Sequence, residues 1–162
     1  MKLLEMILFV NPGNSHGGHL TTKGKKQIVS ILDPITKNIG MKECFIISSP
    51  TDKAIETALI IAGPLGIPFD EIPELREYDG MNYLSKAKII LNHLQNSSAK
   101  VLILVAHEDD RYILPKELLE ISSDGRPTTI PYGHGILSTE GSLVMYSRNG
   151  CSITEPMEGI LV

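Results

Sequence analysis

Val101-Leu102-Ile103-Leu104-Val105-Ala106 is an unbroken apolar run that ends at His107. A strand with one wet face alternates apolar and polar residues, whereas a strand covered on both faces does not. This run therefore reads as an interior strand of a parallel sheet with helices on each side. A helix from about Asn82 to Leu94 precedes it, amphipathic through Leu84, Ala87, Ile90, Leu91 and Leu94, with Asn96-Ser97-Ser98 as the intervening turn. Ile7 to Val10 is a second short buried strand, stopped by Asn11-Pro12-Gly13-Asn14-Ser15, a loop that continues through His16-Gly17-Gly18-His19. Thr21 or Thr22 is placed to cap a helix bearing Ile28, Ile31, Leu32, Ile35 and Ile39, with Pro34 expected to kink or break it and Gly40 to stop it. Cys44 to Ser48 is a further strand. Ser49 as cap and Pro50 at the first helical position predict a helix from about Pro50 to Ala62, ended by Gly63-Pro64, with irregular chain around Pro68 and Pro73. A short helix is expected over Pro115 to Ile121, and a β-hairpin from Gly135 through Thr139-Glu140-Gly141-Ser142 to Tyr146. Strands alternating with helices in this way specify an α/β fold, a three-layer α/β/α sandwich with a mostly parallel central sheet.

The 162 residues suit one domain, spanning 1–162, and a hydrophobic content of 42% with 21% charged residues excludes an intrinsically disordered chain. A net charge of -4 and a pI near 5.7 argue against a nucleic-acid partner, which calls for a basic stripe. The two cysteines, Cys44 and Cys151, are too few for a disulfide framework and form no C-x-x-C or zinc-finger spacing. Lys2 followed by apolar residues imitates a signal peptide, but Glu5 interrupts the run and no small-residue cleavage site follows. No stretch approaches the roughly 18 apolar residues of a membrane span. The expectation is a cytoplasmic protein with no membrane association; no residue pattern specifies an oligomeric state.

In open α/β sheets, ligands sit beyond the carboxyl ends of the strands. Asn11 to His19, Ser48 to Lys53 and His107 to Asp110 are the polar segments there, with Glu74-Leu75-Arg76-Glu77 close behind. A small molecule or protein ligand is expected at that end.

These segments resemble the histidine phosphatase superfamily, the phosphoglycerate mutase-like proteins. The family's Arg-His-Gly-Glu-Ser aligns with Asn11-Pro12-Gly13-Asn14-Ser15. Its Leu-Thr-x-x-Gly-x-x-Gln is present as Leu20-Thr21-Thr22-Lys23-Gly24-Lys25-Lys26-Gln27, and its Ser-Ser-Pro-x-x-Arg-Ala-x-x-Thr-Ala as Ser48-Ser49-Pro50-Thr51-Asp52-Lys53-Ala54-Ile55-Glu56-Thr57-Ala58. Glu74 to Tyr78 resembles the Leu-x-Glu element and Val105-Ala106-His107 resembles Val-Ser-His-Gly. The likeness, from about Ile7 to His107, implies the phosphoglycerate mutase-like fold without a large cap insertion, hence an open cleft.

It also implies a chemistry. In the family a neutral histidine attacks phosphorus, two arginines and a second histidine surround the phosphoryl oxygens, and a carboxylic acid protonates the leaving oxygen. Here the nucleophile's position is Pro12, the first arginine's is Asn11 and the second's is Lys53, which keeps charge but loses the bidentate fork. Glu77 and His107 remain as vestiges of the catalytic set, and Asn11, Gly13, Asn14, Lys53 and His107 as remnants of the phosphate pocket. Glu108-Asp109-Asp110 follow His107 where the family has glycine; each carboxylate at about 4–6 Å from a phosphate would oppose it by on the order of 3–4 kcal/mol at an effective dielectric near 20. Together these departures describe a pseudophosphatase, a binding or regulatory protein that needs no cofactor.

Other readings of the same residues stand beside this one. His16 and His19 are candidate replacement nucleophiles, or solvated loop histidines. His16, His19 and Asp109, with His107 and Glu77, are candidate ligands for a divalent metal, although H-x-x-H in a glycine-rich loop lacks the helical spacing that preorganises zinc. Arg76 and Glu77 suit a surface ion pair equally well, and His107 a hydrogen-bonded structural role. His93 reads as helix surface, His134 as a turn residue, and Lys23, Lys25 and Lys26 as a solvated helix face. The alternative to a binding protein is a divergent phosphatase that uses another histidine or a metal.

Overall fold

The computed structural model describes residues 4–75, 82–111, 113–122, 139–148 and 150–156. Within them a six-stranded sheet runs in the order β5-β4-β6-β1-β7-β8, with β1 at Met6–Val10, β4 at Cys44–Ser48, β5 at Phe69–Glu71, β6 at Val101–Val105, β7 at Leu143–Ser147 and β8 at Gly150–Thr154. The first four strands of that order are mutually parallel, and β7 and β8 continue antiparallel. β6 lies between β4 and β1 in straight register, Ile103 opposite Ile46 on one side and Leu8 on the other.

Because side chains alternate across a strand, the apolar run of β6 feeds two cores. Leu102 and Leu104 join Ile7 and Phe9 of β1 beneath α4 (Tyr83–His93) and α6 (Leu114–Ile121). Val101, Ile103 and Val105 join Leu8 and Val10 beneath α1 (Thr22–Ser30), α2 (Leu32–Ile39) and α3 (Asp52–Leu65). This is the three-layer α/β/α sandwich.

The structure corrects several local expectations. The first helical stretch is broken at Ile31, one turn before Pro34. Proline's ring collides with the carbonyl four residues back, so a break there leaves Pro34 in the first turn of α2, where its missing N–H has no partner to lose. α3 begins at Asp52 rather than Pro50, because Ser49 stays with the sheet, its N–H donating to the Val105 carbonyl at 2.9 Å. α3 also runs through Gly63-Pro64 and stops at Gly66, whose left-handed backbone (φ 64°) lets its N–H return to the carbonyls of Ala62 and Gly63. On α4, Leu84 is exposed and Lys86 takes a place on the buried face. The hairpin lies later than expected, pairing Leu143–Ser147 with Gly150–Thr154, while Thr139 to Ser142 form a turn; Gly135 to Ser138 lie outside the described residues. Two elements read as loop are strands: the small hairpin of β2 (Ser15–His16) and β3 (His19–Leu20), turned at Gly17-Gly18 with positive φ at both, and the edge strand β5 between Pro68 and Pro73. α5 (Glu108–Arg111) adds a single turn after His107.

Truncating Ile103 to Ala removes side-chain volume where the sheet is covered on both faces. Urea unfolding is expected to show a loss of about 3 kcal/mol, within the 2–5 typical of such sites, whereas Leu59→Ala on the exposed side of α3 changes stability by about 0.5 kcal/mol or less.

Candidate functional site

The loop after β1 is fastened from several directions. Asn11 N–H donates to the Ser142 carbonyl at 3.1 Å, and its side-chain amide donates to the Thr139 carbonyl and the Ser142 hydroxyl at 3.2 and 3.3 Å. Gly141 N–H donates to the Pro12 carbonyl at 3.0 Å. Asn14 N–H donates to Gln27 Oε1 at 2.8 Å, and the Asn14 carbonyl accepts from Thr21 N–H at 3.0 Å. The Thr21 hydroxyl donates to Asn14 Oδ1 at 2.6 Å while capping α1 by accepting from Gly24 N–H. Thr57 bridges the loop to α3, accepting from Gly13 N–H at 3.3 Å and donating to the Lys53 carbonyl at 2.8 Å. Gly24 is required by contact: a Cβ there would stand 2.1 Å from the Asn14 carbonyl oxygen. Thr21, Gly24, Gln27 and Thr57, residues that carry the family resemblance, thus hold the loop in place.

His107, buried at the end of β6, has its Nε2 2.9 Å from the hydroxyl of Ser49, itself fully buried. This contact joins the carboxyl ends of β4 and β6. Beyond it, Asp110 Oδ1 accepts from Lys86 Nζ at 3.1 Å, both side chains almost wholly buried, and the ammonium lies 5.7 Å from the centroid of the Tyr83 ring. Of the three carboxylates expected beside the pocket, Asp110 is instead ion-paired inside the fold. Arg111 is fully buried, its carbonyl accepting from the Tyr146 hydroxyl at 3.4 Å. Sequence reasoning missed Lys86 and Arg111. An unflanked lysine on an apolar helix face was the available sign for the first; nothing local marked the second.

The loop histidines turn elsewhere. His16 is exposed. His19 Nδ1 lies 3.1 Å from Glu56 Oε2 and Nε2 3.7 Å from Asp52 Oδ2, both on the first turns of α3; Glu56 Oε1 also accepts from Leu20 N–H at 2.8 Å. The Glu56 hydrogen bond and charge hold the His19 pKa above its ordinary value, and the Leu20 N–H, with His19, lowers that of Glu56. A histidine so engaged favours its charged form. Lys53 is half-buried in the first turn of α3. Arg76, Glu77 and His134, and the side chains of Glu108 and Asp109, lie outside the described residues. Among the described residues no three histidine, cysteine or acidic side chains form a metal-binding group, and no helix is long and apolar enough to cross a membrane.

Residues 12–109, more than half of the chain, match the family model described as histidine phosphatase superfamily (branch 1), and the chain belongs to that superfamily. Solved structures agree on the fold. One is the protein histidine phosphatase SixA complexed with tungstate, with a TM-score of 0.61 at 15% identity, covering 97% of this chain and 99% of that one. Others are a mycobacterial glucosyl-3-phosphoglycerate phosphatase (TM-score 0.58, 14% identity, 93% and 97% covered) and the phosphoserine phosphatase of Entamoeba histolytica with 3-phosphoglyceric acid (0.53, 16%, 93% and 95%). No curated protein sequence gives a significant match.

Gly24→Ala must displace backbone, so thermal or urea unfolding is expected to show a loss of about 2 kcal/mol or more. Gly63→Ala, in a helix with open space around it, is expected to gain about 0.4–1 kcal/mol. The His19 tie follows pH with opposite signs at its two ends. The raised His19 pKa gives a contribution that is full below 6.5 and lost as pH rises through the folded value; the lowered Glu56 pKa gives one present above 4.5 and lost as pH falls through its folded value. The hairpin is therefore held best between those two values. NMR titration is expected to find the His19 midpoint above 6.5 and to see it fall in Glu56→Gln.

Proposed function

We propose that this chain is a pseudophosphatase, a non-catalytic histidine phosphatase relative that binds a small molecule or a protein through the remodelled pocket at the C-terminal end of its sheet. The observation that carries the reading is Pro12, at the position aligned with the family's phosphoryl-accepting histidine: its ring nitrogen is an amide, with neither a lone pair to attack phosphorus nor a proton to donate. Loss of a catalytic nucleophile alone lowers kcat by roughly 10⁶. The surroundings support it. Asn11 is tied to the 139–142 turn, His107 is bonded to a buried serine, and His19 is held by two acids on α3.

On this reading Lys53 supplies a cation to the altered pocket and Glu77 is, by alignment alone, the vestige of the family's catalytic acid, in a domain that spans 1–162 with no cap insertion and an open cleft. The two free cysteines suit the reducing cytoplasm, where we place the protein.

The test is turnover of p-nitrophenyl phosphate by the purified chain, with and without Mg²⁺, Mn²⁺ or Zn²⁺. The expected result is no rate above the uncatalysed background. Turnover that disappears on replacing any one of His16, His19 or His107 with Ala would establish a working enzyme and sink this reading.

A further inference from the structure

At the opposite end of β4 from Ser49 there is a cavity of about 460 Å³, within the size range of small-molecule sites. Five strand residues at about 3.3 Å each separate the two ends, so this space is distinct from the family's phosphate pocket. Its apolar wall comes from Ile39, Phe45, Leu65, Ile67 and Pro68, and its polar rim includes Thr36, Glu43 and Ser97.

Apart from one ion-paired lysine, the charge around it is negative. Helices of a parallel sandwich run opposite to the strands, so α2 and α3 both bring their C-terminal ends here, at Ile39-Gly40 and Leu65-Gly66. Each such end carries the equivalent of about half a negative charge. Glu43 adds a carboxylate. Lys42, itself one of the lining residues, has its charge offset by an ion pair with Glu5 at 2.9 Å. Cys44, also on the wall, stays a neutral thiol, because burial pushes its pKa up to about 12.

We infer that this cavity binds a small organic cation, an amine or guanidinium group carried on a hydrocarbon body. The body fills the Ile39–Leu65–Ile67 wall, and the charged group is held at the rim by Glu43 and the two helix ends. The inference is independent of whether the phosphatase pocket is catalytic, since no residue is shared with it.

The test uses the full chain, 3-phenylpropylamine and its carboxylate counterpart 3-phenylpropanoate, followed by ¹H–¹⁵N NMR at neutral pH. The amine is expected to produce saturable shifts in residues 36–45 and 65–68, with the carboxylate binding about tenfold or more weakly. Glu43→Gln is expected to narrow that preference several-fold. Thr36→Trp, placed on the exposed surface of α2 at the rim, is expected to block the cavity and abolish the shifts while the rest of the spectrum stays folded. Equal binding of amine and carboxylate, shifts scattered over the surface, or no saturation by about 10 mM, weaker than any useful site, would overturn the inference.

Discussion

The backbone of Asn14 is gripped by Gln27 and Thr21 and abutted by Gly24 at a distance that leaves no room for a single carbon. That close approach fixes where α1 starts, where the loop after β1 lies, and, through the Pro12 and Asn11 contacts, where the 139–142 turn sits. The lattice of bonds uses backbone groups, a threonine, a glutamine and an asparagine. None of it needs the histidine or arginines that phosphoryl transfer requires. Scaffold and chemistry are therefore physically separable in this fold, and a chain is able to keep the first while altering the second.

Much of the architecture was legible because burial writes itself into sequence. β6 has no polar residue to offer solvent on either face, and the two cores it feeds follow from that alone. The misread points share a cause: a tertiary partner outweighed a local preference. Ser49 has the sequence of a helix cap, yet its hydroxyl is committed to His107, some sixty residues away along the chain. Lys86 sits on an apolar face because Asp110, brought there by β6, balances its charge. Pro34 was read as a breaker and is instead an opener, since the chain yields one turn earlier.

The candidate site was legible as a place more than as an arrangement. Strand order put the Asn11, Ser48 and His107 segments at one end, and the resemblance supplied the roles their positions hold in relatives. What neither supplied was direction: that Asn11 faces the 139–142 turn, that His19 leans on α3, and that Asp110 points into the protein rather than at a ligand. Such directions depend on contacts between residues far apart in sequence, which no local pattern encodes.

Burial of Cys44 has a practical corollary. Burial holds the pKa of this thiol well above its ordinary value, so it stays protonated at neutral pH, and it is the ionised form that reacts with peroxides, maleimides and disulfides. A chemist seeking to label the molecule through its thiols would therefore find position 44 slow to modify.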